Sequence, residues 1–188
     1  MAEKIKRRIK SKSGFTMTEL LMALLILLMV TAIVAAGIPV AANAYDKVVT
    51  GANAQVLLST AMTCLRDELG TAKEINNQAG TTTAAIEYIS SNGSKSVLSV
   101  DSEKGIMLKE YADIYTPGAS DPADKYTHTL VSDSAANKNL VVKYGTAVYD
   151  EVNSVVKFTN IAVYKKIGGD PIVKIDNYSV KVFTNNIK

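Results

Sequence analysis

Seven residues at the edge of an apolar run are the best candidates for chemistry in this chain: Ser13-Gly14-Phe15-Thr16-Met17-Thr18-Glu19. Glu19 puts a carboxylate against Leu20–Ala42, 23 residues without a charge. A carboxylate is expensive at such an edge unless a cation or a set of donors meets it. Two chemistries suit it there. As an acid near a helix N-terminus it complements the dipole. As a buried anion it would need a cation from elsewhere.

The remaining chain offers less. His128 is the sole histidine, which excludes a multi-histidine metal site and weakens a Ser-His-Asp reading. Thr127-His128-Thr129 reads as a solvated strand face. Asp121, Asp124 and Asp133 do not have the spacing of a calcium loop and read as solvated acids. No phosphate-cradling Gly-rich loop follows a strand. Cys64 is the one cysteine, so no intrachain disulfide can form, and its place on a helical apolar stripe reads as a small buried hydrophobe. No cofactor or metal is implied, and an enzyme is not expected.

Charge separates the N-terminus from the rest. Residues 1–14 hold six cations and one acid, Glu3. Without them 15 basic and 17 acidic residues remain, and a net charge of +3 becomes −2. The basic balance is therefore not a nucleic-acid footprint. As a helix the uncharged run would span roughly 35 Å, enough to cross a bilayer core of about 30 Å. The cations before it place the N-terminus in the cytoplasm and the remainder outside. Gly37 and Pro39 predict a kink. Three outlines share these features: a cleaved signal peptide, with Ala42-Asn43-Ala44 before Tyr45 as the small-residue site; a plain anchor; and a chain cut at the near end of the run. A signal-peptide apolar region is usually about 7–15 residues, shorter than this one.

The stretch from Lys10 to Pro39, KSKSGFTMTELLMALLILLMVTAIVAAGIP, resembles the N-terminus of type IV pilins and of the pilin-like proteins of type II secretion and DNA-uptake systems. A basic leader ending in Gly14, then Phe15, then Glu19 in fifth place, then the apolar helix carry that resemblance, over residues 4 to about 45. It implies cutting by a prepilin peptidase after Gly14 and N-methylation of Phe15. It also implies a salt bridge from Glu19 to the terminal amine of a neighbouring subunit, which would neutralise two expensive charges and set register. The implied partners are that peptidase, other pilin subunits, the inner-membrane assembly machinery and membrane lipid. Whether nucleic acid is a partner stays open. Many pilins close a C-terminal loop with a disulfide, which this chain cannot do.

These readings give an α+β fold: a long N-terminal helix, transmembrane then amphipathic, packed on an antiparallel β-sheet head. The expected parts are a leader at 1–14, an assembly helix at 15–43, its amphipathic continuation at 44–70 and a β-rich head at 71–188. In the second helical part Ala54, Leu57, Leu58, Ala61, Met62, Leu65 and Leu69 share a face. Tyr45 suits a membrane interface, and Gly70 a C-cap. Strands are expected at 84–90 and 96–100 around an Asn92-Gly93 turn, then at 106–111, 127–131, 139–149, 154–165 and 172–183. Residues 116–126 read as a loop. Val173 and Ile175 differ in parity from Tyr178, Val180 and Val182, so a bulge or break is expected near Asn177.

Overall fold

The computed structural model describes residues 16–76, 80, 82–114, 124–131 and 139–183. It has one long apolar N-terminal helix, α1 (Met17–Gly70), followed by antiparallel β-structure. The chain divides into two compact units between Val48 and Val49.

In the first unit every described residue, 16 to 48, is exposed. Leu28 and Ile33 are 66% and 73% exposed. None of these described residues buries apolar surface, although the helix is long and apolar enough to cross a membrane. The helix is unbroken at Gly37 and Pro39.

The second unit has a core. Ala54, Leu57, Leu58, Ala61, Leu65 and Leu69 are buried, and Met62 is half-buried beside them. That stripe recurs every three or four residues because 3.6 residues complete a turn. Cys64 lies at the stripe's margin and is half-buried rather than buried. Gly70 is the last helical residue and is not left-handed. The helix end is satisfied differently from the expected glycine cap. Thr71 Oγ1 donates to Asp67 O at 3.0 Å, and Phe183 N donates to Gly70 O at 3.2 Å.

Ten strands are described: β1 (Glu74–Ile75), β2 (Thr82–Thr83), β3 (Ile86–Ile89), β4 (Ser94–Asp101), β5 (Gly105–Ile114), β6 (Asp124–Thr129), β7 (Leu140–Lys143), β8 (Thr146–Asp150), β9 (Val155–Lys165) and β10 (Val173–Lys181). They form two sheets, where a single sheet was expected. One runs β1-β3-β4-β5-β6; the other runs β10-β9-β8-β2, with β7 also paired to β9. The Asn92-Gly93 turn joins β3 to β4, with Asn92 Oδ1 accepting from Ser94 N at 2.9 Å and Gly93 at φ +90°. Residues 124–126, expected in a loop, begin β6, and that strand stops at Thr129.

The expected strand over 139–149 is two strands. β7 and β8 lie end to end along β9, and the chain leaves the ladder at Tyr144-Gly145. There Gly145 N donates to Thr159 O at 2.8 Å. The next residue of β9, Asn160, has φ +51°, and the β9–β10 pairing skips Asn160 and Asp176 without changing register. Both strands change facing at this rung. Val156 and Phe158 are buried on one side of it and Ile161 and Val163 on the other, while β10 turns in Val180 and Tyr178, then Ile175 and Val173. The parity conflict is thus resolved one residue from Asn177, by a crease that crosses neighbouring strands together rather than by a bulge in one.

The sheets meet where Tyr144 donates to Ala84 O at 3.0 Å and Leu98 O at 3.3 Å, its ring edge-on to Phe158 at 5.1 Å. Gly105 sits against β7 at φ +82°. A Cβ there would lie 2.5 Å from Val142 O, so only glycine fits. The helix is pinned from both sheets. Tyr88 of β3 donates to Glu68 Oε1 at 2.6 Å, and Tyr178 of β10 donates to Met62 O at 2.9 Å.

Candidate processing and assembly site

The helix begins with a reciprocal lock. Glu19 N donates to Thr16 Oγ1 at 3.3 Å, while Thr16 N and Thr16 Oγ1 donate to Glu19 Oε2 at 3.0 and 2.9 Å. Thr-x-x-Glu is a capping box: the hydroxyl satisfies an orphan amide of the first turn, and the carboxylate returns to the capping residue's own amide. Such a cap contributes about 1 kcal/mol to helix stability. Thr16 is the residue that reading Glu19 for its charge overlooked. Its signal was local and visible, a threonine three positions before a glutamate. The lock engages Oε2 only, and Oε1 has no partner among the described residues. Glu19 is exposed and immediately precedes the apolar run.

Gly14 and Phe15 lie outside the described residues. Gly37 and Pro39 share the helix with Glu19, but 18 and 20 residues on, which is roughly 27–30 Å along the axis. They are therefore not part of one site with it. Proline has no N–H, so the bond that residue 39 would give Ala35 is absent. A Cβ at Gly37 would meet nothing within 4 Å.

The other candidates do not converge. His128 is exposed on β6, opposite Leu108 of β5. Asp124 begins β6, while Asp121 and Asp133 fall outside the described residues. Among the described residues no three of His, Cys, Asp and Glu come together as metal ligands. Burial, and next the charge of Asp67, push the Cys64 thiol up from its usual range, which favours the unreactive protonated form.

A capped carboxylate thus heads the uncharged stretch Leu20–Ala42 of α1. The family of the prokaryotic N-terminal methylation motif matches residues 9–35. That span holds Gly14, Phe15, Thr16 and Glu19 and reaches well into the exposed part of α1. That match supports a type IV pilin-like prepilin N-terminus. No curated protein and no solved structure matches the chain. A prepilin motif implies processing by a prepilin peptidase, assembly with other pilins and anchoring in a membrane. It indicates a structural subunit rather than an enzyme. The α+β architecture, one long apolar helix followed by antiparallel strands, is pilin-like.

Proposed function

We propose that the chain is a structural subunit of a type IV pilus or a related filament, as major pilin, minor pilin or pseudopilin. It is made as a prepilin and cut after Gly14. The observation that carries this reading is the succession Gly14, Phe15, Glu19 and an uncharged helix, within the matched residues 9–35. In this reading residues 1–14 are a cytoplasmic leader and 15–43 an assembly helix. Residues 44–70 continue that helix into the head, and 71–188 complete a head outside the membrane. After cleavage Phe15 carries a methylated amine, and Glu19 of a neighbour supplies its counter-charge.

The mass of the mature chain tests the processing. A start at methylated Phe15 supports the proposal. A start at Tyr45 would instead mark a signal-peptide-bearing secreted domain, and retention of Met1 a membrane-tethered binding domain. Replacing Gly14 by Val should leave uncut precursor, because the added side chain keeps the backbone out of a close-fitting cleft.

The capping box sharpens the test of Glu19. Glutamine can fill the same place in such a box but has no charge. Glu19→Gln therefore separates the cap within the chain from the proposed salt bridge between chains. It should be cut normally and enter filaments as poorly as Glu19→Ala. Normal incorporation of Glu19→Gln would remove the salt bridge and leave Glu19 as a cap.

A further inference from the structure

A cleft of about 530 Å³ lies beside the crease in the second sheet, lined by the buried Tyr144 and by Val100 of the first sheet as well as by Lys143, Asn160, Ala162, Tyr164 and Lys174. Register explains its shape. Lys143 of β7 and Lys174 of β10 are both paired with Ala162 of β9. Their backbones thus stand on either side of it, two strand spacings or about 10 Å apart. Ala162 is 1% exposed and forms a floor between the two stems. Tyr164, two residues on from Ala162, shares its face, and Asn160 at the crease also lines the cleft. Gly145 adds no side chain beside Asn160.

The groups lining the cleft have distinct chemistries. The Lys143 ammonium lies 5.5 Å from the centre of the Tyr164 ring; among the described residues it forms no salt bridge, and its charge acts on the Asp101 carboxyl only at longer range. The Lys174 ammonium is held 3.0 Å from Asp176 Oδ1. One cation is thus available to an incoming anion and the other is largely neutralised. A polyphosphate strand would need a row of unpaired cations along its track, so nucleic acid fits poorly. A volume in the lower half of the usual small-ligand range suits one or two sugar rings. The tyrosine ring offers an apolar surface for a pyranose C–H face. The Asn160 amide can donate to and accept from hydroxyls, and the Lys174 ammonium can donate to them.

We propose that this cleft binds a carboxylate-bearing sugar, its carboxylate on Lys143 and its ring against Tyr164. The proposal concerns the head alone and does not depend on cleavage or filament assembly.

The test is a titration of the full-length, isotope-labelled chain in detergent micelles, followed by amide chemical shifts. The probes are methyl β-D-glucuronide, methyl β-D-glucoside and sodium acetate. Saturable shifts confined to residues 143–145, 160–164 and 171–174, with the glucuronide at least tenfold tighter than either other probe, are expected. Lys143→Met, or Lys143→Gln should the first not fold, should weaken the glucuronide about tenfold and leave the glucoside unchanged. Tyr164→Ala should weaken both sugars. An equal response to glucuronide and acetate would reduce the cleft to a nonspecific anion site. That outcome, shifts elsewhere, no saturable response, or an unchanged affinity in Lys143→Met or Lys143→Gln would each overturn the proposal.

Discussion

Leu28 and Leu65 are the same residue on the same helix, yet one is 66% exposed and the other 0%. The difference lies in what surrounds them. Leu65 is covered by strands of its own chain, whereas the segment around Leu28 is apolar on every side and uncovered by any part of it. A helix that is hydrophobic all round requires an apolar environment. In the first unit the described residues supply none, so an apolar environment would have to come from outside the unit. The second unit supplies its own. One unit is completed from outside, the other from within.

The sharpest way to break this contrast is to cut the same side chain in both units. Leu65→Ala should lower the stability of the second unit by about 2–5 kcal/mol through lost burial and a cavity. Leu28→Ala should change it by less than about 0.5 kcal/mol. Chemical denaturation in micelles, read on a signal from the strands, measures both, and equal effects would erase the distinction. A smaller loss, about 2–3 kcal/mol, is expected for Gly105→Ala, where the backbone is left-handed and Val142 O blocks a Cβ. The same denaturation curves would record it, and an unchanged midpoint would mean that β7 can shift away. Tyr178→Phe removes the hydrogen bond to Met62 O and should cost about 1 kcal/mol. Hydrogen exchange at residues 58–66 should then quicken while the first unit is unaffected.

The smallest effect is a pH dependence confined to the second unit. Lys157, then Asn153, hold the Asp150 carboxyl down from 3.8 to about 2. Because the folded value is the lower one, this contribution is fully present above pH 3.8. It disappears as pH falls through about 2. The stability difference between the parent and Asp150→Asn should shrink over that window and stay flat above it. A difference that persists below pH 2 would exclude the ionised carboxyl as its source.

The features legible in the sequence were those with local causes. The buried stripe from Ala54 to Leu69 follows from spacing along one helix, and the boundary at Glu19 from one charge beside an uncharged run. The Asn92-Gly93 turn is specified by two adjacent residues. The division of 139–149 into β7 and β8 was not legible, because residues 140–149 alternate well enough for one strand. The break depends on Asn160, on another strand, and on Asp176 beyond that. The second sheet was hidden for the same reason: β2 is two residues long, and its partner β8 lies more than sixty residues later. Thr16 was a different kind of miss, since its relation to Glu19 is as local as any in the chain.

The bond from Tyr178 to Met62 spans 116 residues. A ribosome makes Met62 well before Tyr178. Until β10 has been made and has docked, Tyr178 and Val180 cannot cover their part of the core, and the Gly70 carbonyl awaits Phe183. The latch thus closes only long after α1 has been made, and long-range closures of this kind slow folding. A chain stopped before residue 173 would present the amphipathic stripe of its helix incompletely covered, a surface that quality-control proteases and chaperones can recognise.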